Sequence, residues 1–426
     1  MAASPFDRFG IIPPPTDDFA AWRLPFALRD YQDEAVEAAL AKHYGTIELP
    51  TASGKTLAAI ALIIRLRQPT LILVPTKALI DQVWIPALAS AGIRGGVYYG
   101  EEKRPGFVTV STYQSLFANP EKIRGFPVVI FDEGDLTTGD VWKRVLAEAR
   151  QHSYAVVFTA TLPSEKERRS ELLASFPVLL SRSPREQIQA GVFVPVHTVA
   201  RYVKLTPEAR REYDRVDATL RNLRRVLGTG NPLRVKRLIS SPDASIRQAA
   251  LAFFKYSSLR ETLLANVPAR AEELLSIARS HPDQRILVFG TRVDPLADAC
   301  AYLTMSGVPS RIISAETTRR DRVDIFDSWG RTFQVLASVA VLRRGVNVPE
   351  VGIAVLMGGG AGVTKLVQEV GRVVRTLPGK ERATVYVVVA TGTKEENLPA
   401  VVERIFRSES ITEADREGVE EESDGD

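Results

Sequence analysis

Leu49-Pro50-Thr51-Ala52-Ser53-Gly54-Lys55-Thr56 follows the short apolar stretch Thr46-Ile47-Glu48-Leu49 and opens the helical run Leu57–Leu66. The order predicted is strand, loop, helix, the setting in which backbone N–H groups at a helix N-terminus wrap an anion. There the backbone of Thr51, Ala52, Ser53 and Gly54 forms a phosphate cradle. Lys55 supplies a point charge to β- and γ-phosphates, and Thr56 offers its hydroxyl to Mg2+. The strict G-x-x-x-x-G-K-T pattern is not met, because the position five before Gly54 is Leu49. The strand-loop-helix context carries the reading instead.

Working outward, the runs Thr70–Val74, Val108–Val110, Val128–Phe131 and Ala155–Thr159 alternate with helix-length segments between Ala27 and about Leu180. Runs that are apolar throughout imply strands buried on both faces of a parallel sheet. The rhythm restarts at Arg285–Phe289 and continues through Val335–Ser338, Ile353–Met357 and Thr384–Val389. Between the two series, Glu208–Val226 and Ser245–Leu264 show helical spacing with few β-branched runs. The expected architecture is therefore α/β: one parallel-sheet domain over 27–195, a small helical insert over 206–270 and a second parallel-sheet domain over 271–407. An N-terminal extension (1–26) and a disordered acidic tail (408–426) would flank them.

At 426 residues, with 45% hydrophobic and 25% charged side chains, the chain is long enough for two sizeable cores and is not compositionally disordered. Its longest apolar run, Leu57–Ile64, falls far short of the roughly 20 residues that span a bilayer. The Pro-rich, acidic start does not have the layout of a signal peptide. The single cysteine, Cys300, cannot form an internal disulfide, and no zinc-ligand spacing occurs, so a cytoplasmic location is expected. The net charge of +4 hides an asymmetry, since Ser408–Asp426 holds nine acids against one arginine. That stretch carries −8 and the remainder +12. Such an excess suits a polyanionic partner, with scattered solubilising charge as the alternative. Arg221, Arg224, Arg225, Arg234, Lys236 and Arg237 fall within seventeen residues containing no acid, either as a surface that grips a phosphate backbone or as a solvated helix face.

Two further constellations carry chemistry. Val128-Val129-Ile130-Phe131-Asp132-Glu133 is an apolar run ending in adjacent carboxylates; Asp132 could hold a magnesium shell and Glu133 could polarise a water. Gln368-Glu369-Val370-Gly371-Arg372-Val373-Val374-Arg375 spaces Gln368, Arg372 and Arg375 by four and three, near one helical face. That face suits a γ-phosphate or, alternatively, surface ion pairs.

Taken together these elements resemble the superfamily-two helicases over Leu28 to Val389, and most closely the archaeal XPB-type repair helicases. Leu28-Arg29-Asp30-Tyr31-Gln32 looks like the adenine-reading Q element, with Arg29 and Gln32 at the nucleotide. The phosphate loop looks like motif I, Val74-Pro75-Thr76-Lys77 like Ia, Ser111–Ser115 like Ib and Asp132-Glu133-Gly134-Asp135 like II. Thr159-Ala160-Thr161 resembles motif III, Val288–Thr291 motif IV, Gly345–Pro349 motif V and Gln368–Arg375 motif VI. The XPB likeness rests on Tyr98–Lys103, the helical insert and Met357–Gly360. It implies two tandem RecA-like domains with a thumb-like insert, ATP and Mg2+ as cofactors, DNA as sequence-independent partner and a possible nuclease partner. Lys55, Glu133, Gln368, Arg372 and Arg375 would be catalytic, Gly345 would lie at the nucleotide, and Lys77, Thr112, Thr291, Ser338, Arg224 and Arg225 would touch nucleic acid.

Four departures stand out: Leu162–Lys166 replaces the Arg-Glu-Asp element after motif III, Asn347 replaces an Asp in motif V, Ala52 replaces the second loop glycine, and Asp135 replaces a His. They weaken the expectation of strand separation more than that of ATP hydrolysis. An RNA-dependent ATPase and a degenerate nucleotide-binding scaffold are the alternatives.

Overall fold

The computed structural model of the chain describes residues 16–117, 120–134, 145, 148–149, 154–163, 166–314, 316–339, 351–358, 370–371, 373 and 380–407. The chain divides into two compact units, the first running to Gln187 and the second starting at Ile188.

In the first unit, eight described strands form one sheet: β1 (Tyr44–Glu48), β2 (Thr70–Val74), β3 (Gly95–Tyr99), β4 (Glu102–Arg104), β5 (Val108–Thr112), β6 (Val128–Asp132), β7 (Tyr154–Thr159) and β8 (Val178–Ser181). Their order is β4-β3-β5-β2-β6-β7-β1-β8, and only the β3–β4 pair is antiparallel. The central strands β2 and β6 are buried along their whole length, as apolar-throughout runs require. Helix α1 (Asp30–Lys42) precedes β1, and α2 (Lys55–Leu66) follows it, burying Ala58 to Ile63. A core of Leu71, Leu73, Val129, Phe131, Val157 and Phe176 fills one face. Fully burying an aliphatic or aromatic side chain contributes about 1.5–3 kcal/mol, so this layer fixes the sheet on which the site is built.

The second unit holds a six-stranded, wholly parallel sheet: β9 (Val196–Val203), β10 (Ile286–Gly290), β11 (Ser310–Ile313), β12 (Val335–Val339), β13 (Ile353–Leu356) and β14 (Ala383–Ala390), ordered β11-β12-β10-β13-β14-β9. Strand β9 pairs with β14 over eight residues, although it precedes the helical segment in sequence. It has no apolar-throughout run because it is an edge strand with mostly half-exposed residues.

The helical segment comprises α3 (Pro207–Leu227), α4 (Pro232–Leu238) and α5 (Ala244–Ala265). Helix α3 begins where the Thr206 hydroxyl accepts the Ala209 N–H and ends at Gly228 in a left-handed cap; α5 begins at Asp243, whose carboxylate accepts the Ser245 and Ile246 N–H groups. Val216, Leu220 and Leu227 recur at helical spacing and pack with Val235, Ala250 and Phe253 into a separate small core. The Tyr213 hydroxyl accepts the Lys394 N–H at 2.9 Å, and a buried Arg270–Glu395 ion pair ties the end of the segment to the sheet.

Among the described residues, no helix is long and apolar enough to cross a membrane, and no group of His, Cys, Asp and Glu forms a ready-made metal cluster.

Candidate nucleotide-hydrolysis site

The phosphate loop leaves the C-terminal end of β1, where the Leu49 N–H still bonds the Thr159 carbonyl of β7 at 3.0 Å. The loop closes on itself: the Ser53 hydroxyl and N–H both donate to the Pro50 carbonyl, at 2.6 and 3.2 Å. Gly54 caps α2 in the left-handed region, φ +81°, without a side chain to satisfy the first N–H groups of the helix. Those donors and the helix dipole favour an anion. Lys55 is 9% exposed and donates to the Leu49 carbonyl at 3.1 Å, a neutral acceptor that a phosphate oxygen would replace.

The start of α1 clamps this loop. Ser53 O accepts from the Tyr31 hydroxyl at 2.6 Å and from Gln32 Nε2 at 2.8 Å, while Gln32 Oε1 accepts the Arg29 N–H at 2.9 Å. The Arg29 guanidinium donates to the Tyr31 hydroxyl at 3.3 Å. Gln32, expected at the adenine, thus has its amide committed to the loop. A Cβ at position 54 would lie 2.3 Å from Gln32 Nε2, so Gly54 answers both its φ and this close approach.

Ala52 stands in the left-handed region at φ +75°, where a Cβ costs about 1–2 kcal/mol. Ala52→Gly should therefore stabilise the protein by about 1 kcal/mol after the added unfolded-state entropy of glycine is offset. Denaturant unfolding of the two proteins checks this; a less stable glycine variant would contradict it.

Asp132 ends β6, with β7 lying between β6 and β1. Its carboxyl is buried and accepts the indole N–H of Trp84 at 2.8 Å, and its backbone carbonyl accepts the hydroxyl of Tyr113 at 2.8 Å. Burial, reinforced by the neighbouring Glu133 charge, pushes the Asp132 carboxyl from 3.8 to about 6, despite opposing help from Trp84 and Lys55. Glu133 is also in the left-handed region, φ +54°, and its Oε2 is buried without a hydrogen-bond partner among the described residues. Gly134 follows where a Cβ would meet Val157 Cγ1 at 2.6 Å. Backbone strain beside an unsatisfied carboxylate is characteristic of a functional site. The buried Asp132 carboxyl and the buried Oε2 of half-buried Glu133 have spare lone pairs that fit a divalent cation, whose charge would relieve both. The Thr161 hydroxyl is likewise buried and unpartnered, while its carbonyl accepts from Thr159.

Lys77 and Thr112 come together at the same edge of the sheet, since they follow or end β2 and β5, paired Val74 to Thr112. Lys77 is exposed, 5.0 Å from the Tyr99 ring centre and 3.8 Å from Glu102; Tyr99 and Glu102 hold its ammonium above its ordinary pKa. So exposed an ion pair is weak and can be exchanged for a phosphate. The Thr112 hydroxyl shares a hydrogen bond with Ser115. In the second unit Thr291 follows β10 and is half-buried, and Arg224 and Arg225 lie in the last turn of α3. Arg225 is exposed and bonded to Asn222, and Arg224 packs against Gly230. Ser338 is 1% exposed within β12, paired with Phe289 of β10 and Ile313 of β11. Gly345, Gln368, Arg372 and Arg375 lie outside the described residues. Trp84, Tyr113 and the tethering role of Tyr31 had no separate signal in the sequence, because buried aromatics read there as ordinary core.

A phosphate loop on β1, paired carboxylates on β6 and two mainly parallel sheets in tandem define a P-loop nucleoside triphosphatase built from two RecA-like domains. Residues 25–164 match the family described as type III restriction enzyme, res subunit, and residues 268–376 match the helicase conserved C-terminal domain. The DNA 3'-5' translocase XPB2 of Sulfurisphaera tokodaii is 30% identical over 87% of this chain and 83% of its own length. The DNA 3'-5' helicase XPB of Mycobacterium tuberculosis is 26% identical over 89% of this chain and 63% of its own length, so the chain spans less than two thirds of that relative. The helicase domain of Pyrococcus furiosus Hef shares the fold, with a TM-score of 0.55 at 20% identity over 87% of this chain and 97% of that one. The chain belongs to the XPB-type branch of the superfamily-two helicases.

Proposed function

We propose that the protein is an ATP-dependent DNA translocase or helicase that acts in DNA repair. The observation that carries the chemistry is the buried Oε2 of Glu133, without a hydrogen-bond partner among the described residues, beside Asp132 at the end of β6, a carboxyl that feels the Lys55 charge. The backbone of Thr51 to Gly54 and the Lys55 ammonium would hold the β- and γ-phosphates, and Thr56 and Asp132 would hold Mg2+. Held there by Thr56 and Asp132, a divalent cation would supply charge neutralisation at the phosphate oxygens. Glu133 orients a water and takes its proton as the new oxygen–phosphorus bond forms and the bond to ADP breaks. Arg29 and Gln32 set the loop from the nucleotide side. Gln368, Arg372 and Arg375, with Gly345, complete the reading from motifs V and VI by family resemblance.

DNA is the proposed track, supported by the names of the relatives and by the +12 charge outside the acidic tail. Lys77, Thr112, Thr291, Arg224 and Arg225 would contact backbone phosphates, which carry no base identity. Affinity for a duplex oligonucleotide should then fall by about tenfold or more between 50 and 200 mM salt. ATP should drive displacement of a triplex-forming strand from a longer duplex. Salt-insensitive binding, or no displacement by wild type, would contradict the proposal. Cytoplasmic action on nucleoid DNA, with a nuclease partner, is the accompanying expectation.

A further inference from the structure

Two aromatic side chains converge on Asp132 from opposite elements. Trp84, 1% exposed, donates its indole N–H to the carboxylate at 2.8 Å, and Tyr113, 4% exposed, donates its hydroxyl to the backbone carbonyl of the same residue at 2.8 Å. Tyr113 also stacks on Phe131, the preceding residue of β6, with rings 9° from parallel. Neither donor is needed to build the sheet; each could have been a Phe or Leu in the same core.

Both donors are attached to the candidate nucleic-acid surface. Helical backbone runs without a break from Lys77 through a π-helical turn, Ile80–Trp84, into Ile85–Ser90. Pro86 has no N–H for the carbonyl of Gln82 and its ring crowds that carbonyl, which accounts for the widened turn. Such turns are frequent at functional sites, and this one ends on the residue that grips Asp132. One end of the segment therefore presents exposed Lys77 and the other delivers Trp84. Tyr113 directly follows Thr112, the hydroxyl end of β5.

We propose that Trp84 and Tyr113 are positioning residues that relay occupancy of the Lys77–Thr112 surface to the carboxylates at the end of β6. The relay rests on the reading of that surface as a DNA contact. When a phosphate takes Lys77 from Glu102, the Lys77–Trp84 segment shifts against β6 and re-aims the Asp132 carboxylate. A shift at Thr112 reaches the Asp132 main chain, and with it Glu133, through the Tyr113 hydroxyl. Linkage requires reciprocity, so DNA must alter nucleotide affinity by the same factor as nucleotide alters DNA affinity.

The test is the affinity of a fluorescent ADP analogue with Mg2+, measured by titration with and without a saturating duplex oligonucleotide, in wild type, Trp84→Phe and Tyr113→Phe. Wild type should show a coupling of about fivefold or more. Each substitution should bring that ratio to about twofold or less, while DNA affinity without nucleotide stays within about twofold of wild type. Tyr113→Phe removes only a hydroxyl, so it decides the matter if Trp84→Phe melts early. A coupled wild type whose ratio survives in Tyr113→Phe and in folded Trp84→Phe would overturn the relay alone. So would affinities for DNA and ADP that fall together at constant ratio, the signature of a merely structural role. A wild type that binds no duplex would instead overturn the DNA reading beneath it.

Discussion

Glu133→Gln is expected to lower ATP turnover by about 10²- to 10⁴-fold while nucleotide affinity changes little, because a positioned general base contributes an effect of that size. Among the described residues Glu133 Oε2 has no hydrogen-bond partner, so the substitution removes no hydrogen bond of that atom there. Glutamine keeps the shape and tolerates the φ of +54° no worse than glutamate. It cannot accept the proton of the attacking water. Lys55, Thr56 and the Asp132 carboxylate remain, so the ground-state complex should form as before. Single-turnover hydrolysis at saturating ATP isolates this step, and a variant within fivefold of wild type would remove Glu133 from the mechanism.

Asp132→Asn should trade function for stability, and the trade should depend on pH. Burial and the Glu133 charge raise the Asp132 carboxyl from 3.8 to about 6. Between those values the folded protein holds a proton that the unfolded chain has released, so stability falls as pH rises through this window. The cost is absent below the lower value and fully present above the upper one. The penalty is therefore largest near neutrality. Asparagine keeps an oxygen for the Trp84 N–H and never ionises. The metal-free variant should therefore match wild type near pH 4 and unfold at higher temperature than wild type at pH 7.5, with nucleotide-dependent metal binding lost. A difference in Tm that does not widen with pH would contradict this reading of the buried pair.

The elements that were legible in the sequence are those with one dominant cause. Thr70–Val74 and Val128–Phe131 are buried on both faces, so their apolar run is unbroken and their strands match the expectation to within a residue. The long helices of the insert carry a 3.6-residue pattern and start at Thr206 and Asp243, side chains that cap well. Strand β9 was invisible because an edge strand with one solvated side has no such run. Within the site, Lys55, Asp132 and Glu133 could be found from residue type and spacing. Trp84 and Tyr113 could not, since a donor aimed from the core at a carboxylate depends on pairing across the sheet and on a widened helical turn. The same holds for Gln32, whose amide meets the phosphate loop through a contact between residues 21 positions apart. The burial of Ser338 was not legible either: motif position marked a strand end, and the enclosure by β10 and β11 depends on the strand order.

The most direct test is steady-state ATP hydrolysis by the wild-type protein and by Glu133→Gln, each without nucleic acid and with single-stranded DNA, duplex DNA or RNA. Stimulation of the wild type by DNA and not by RNA, abolished in the variant, is the result predicted for an ATP-driven DNA motor. Hydrolysis that no nucleic acid stimulates, or that RNA alone stimulates, would contradict it.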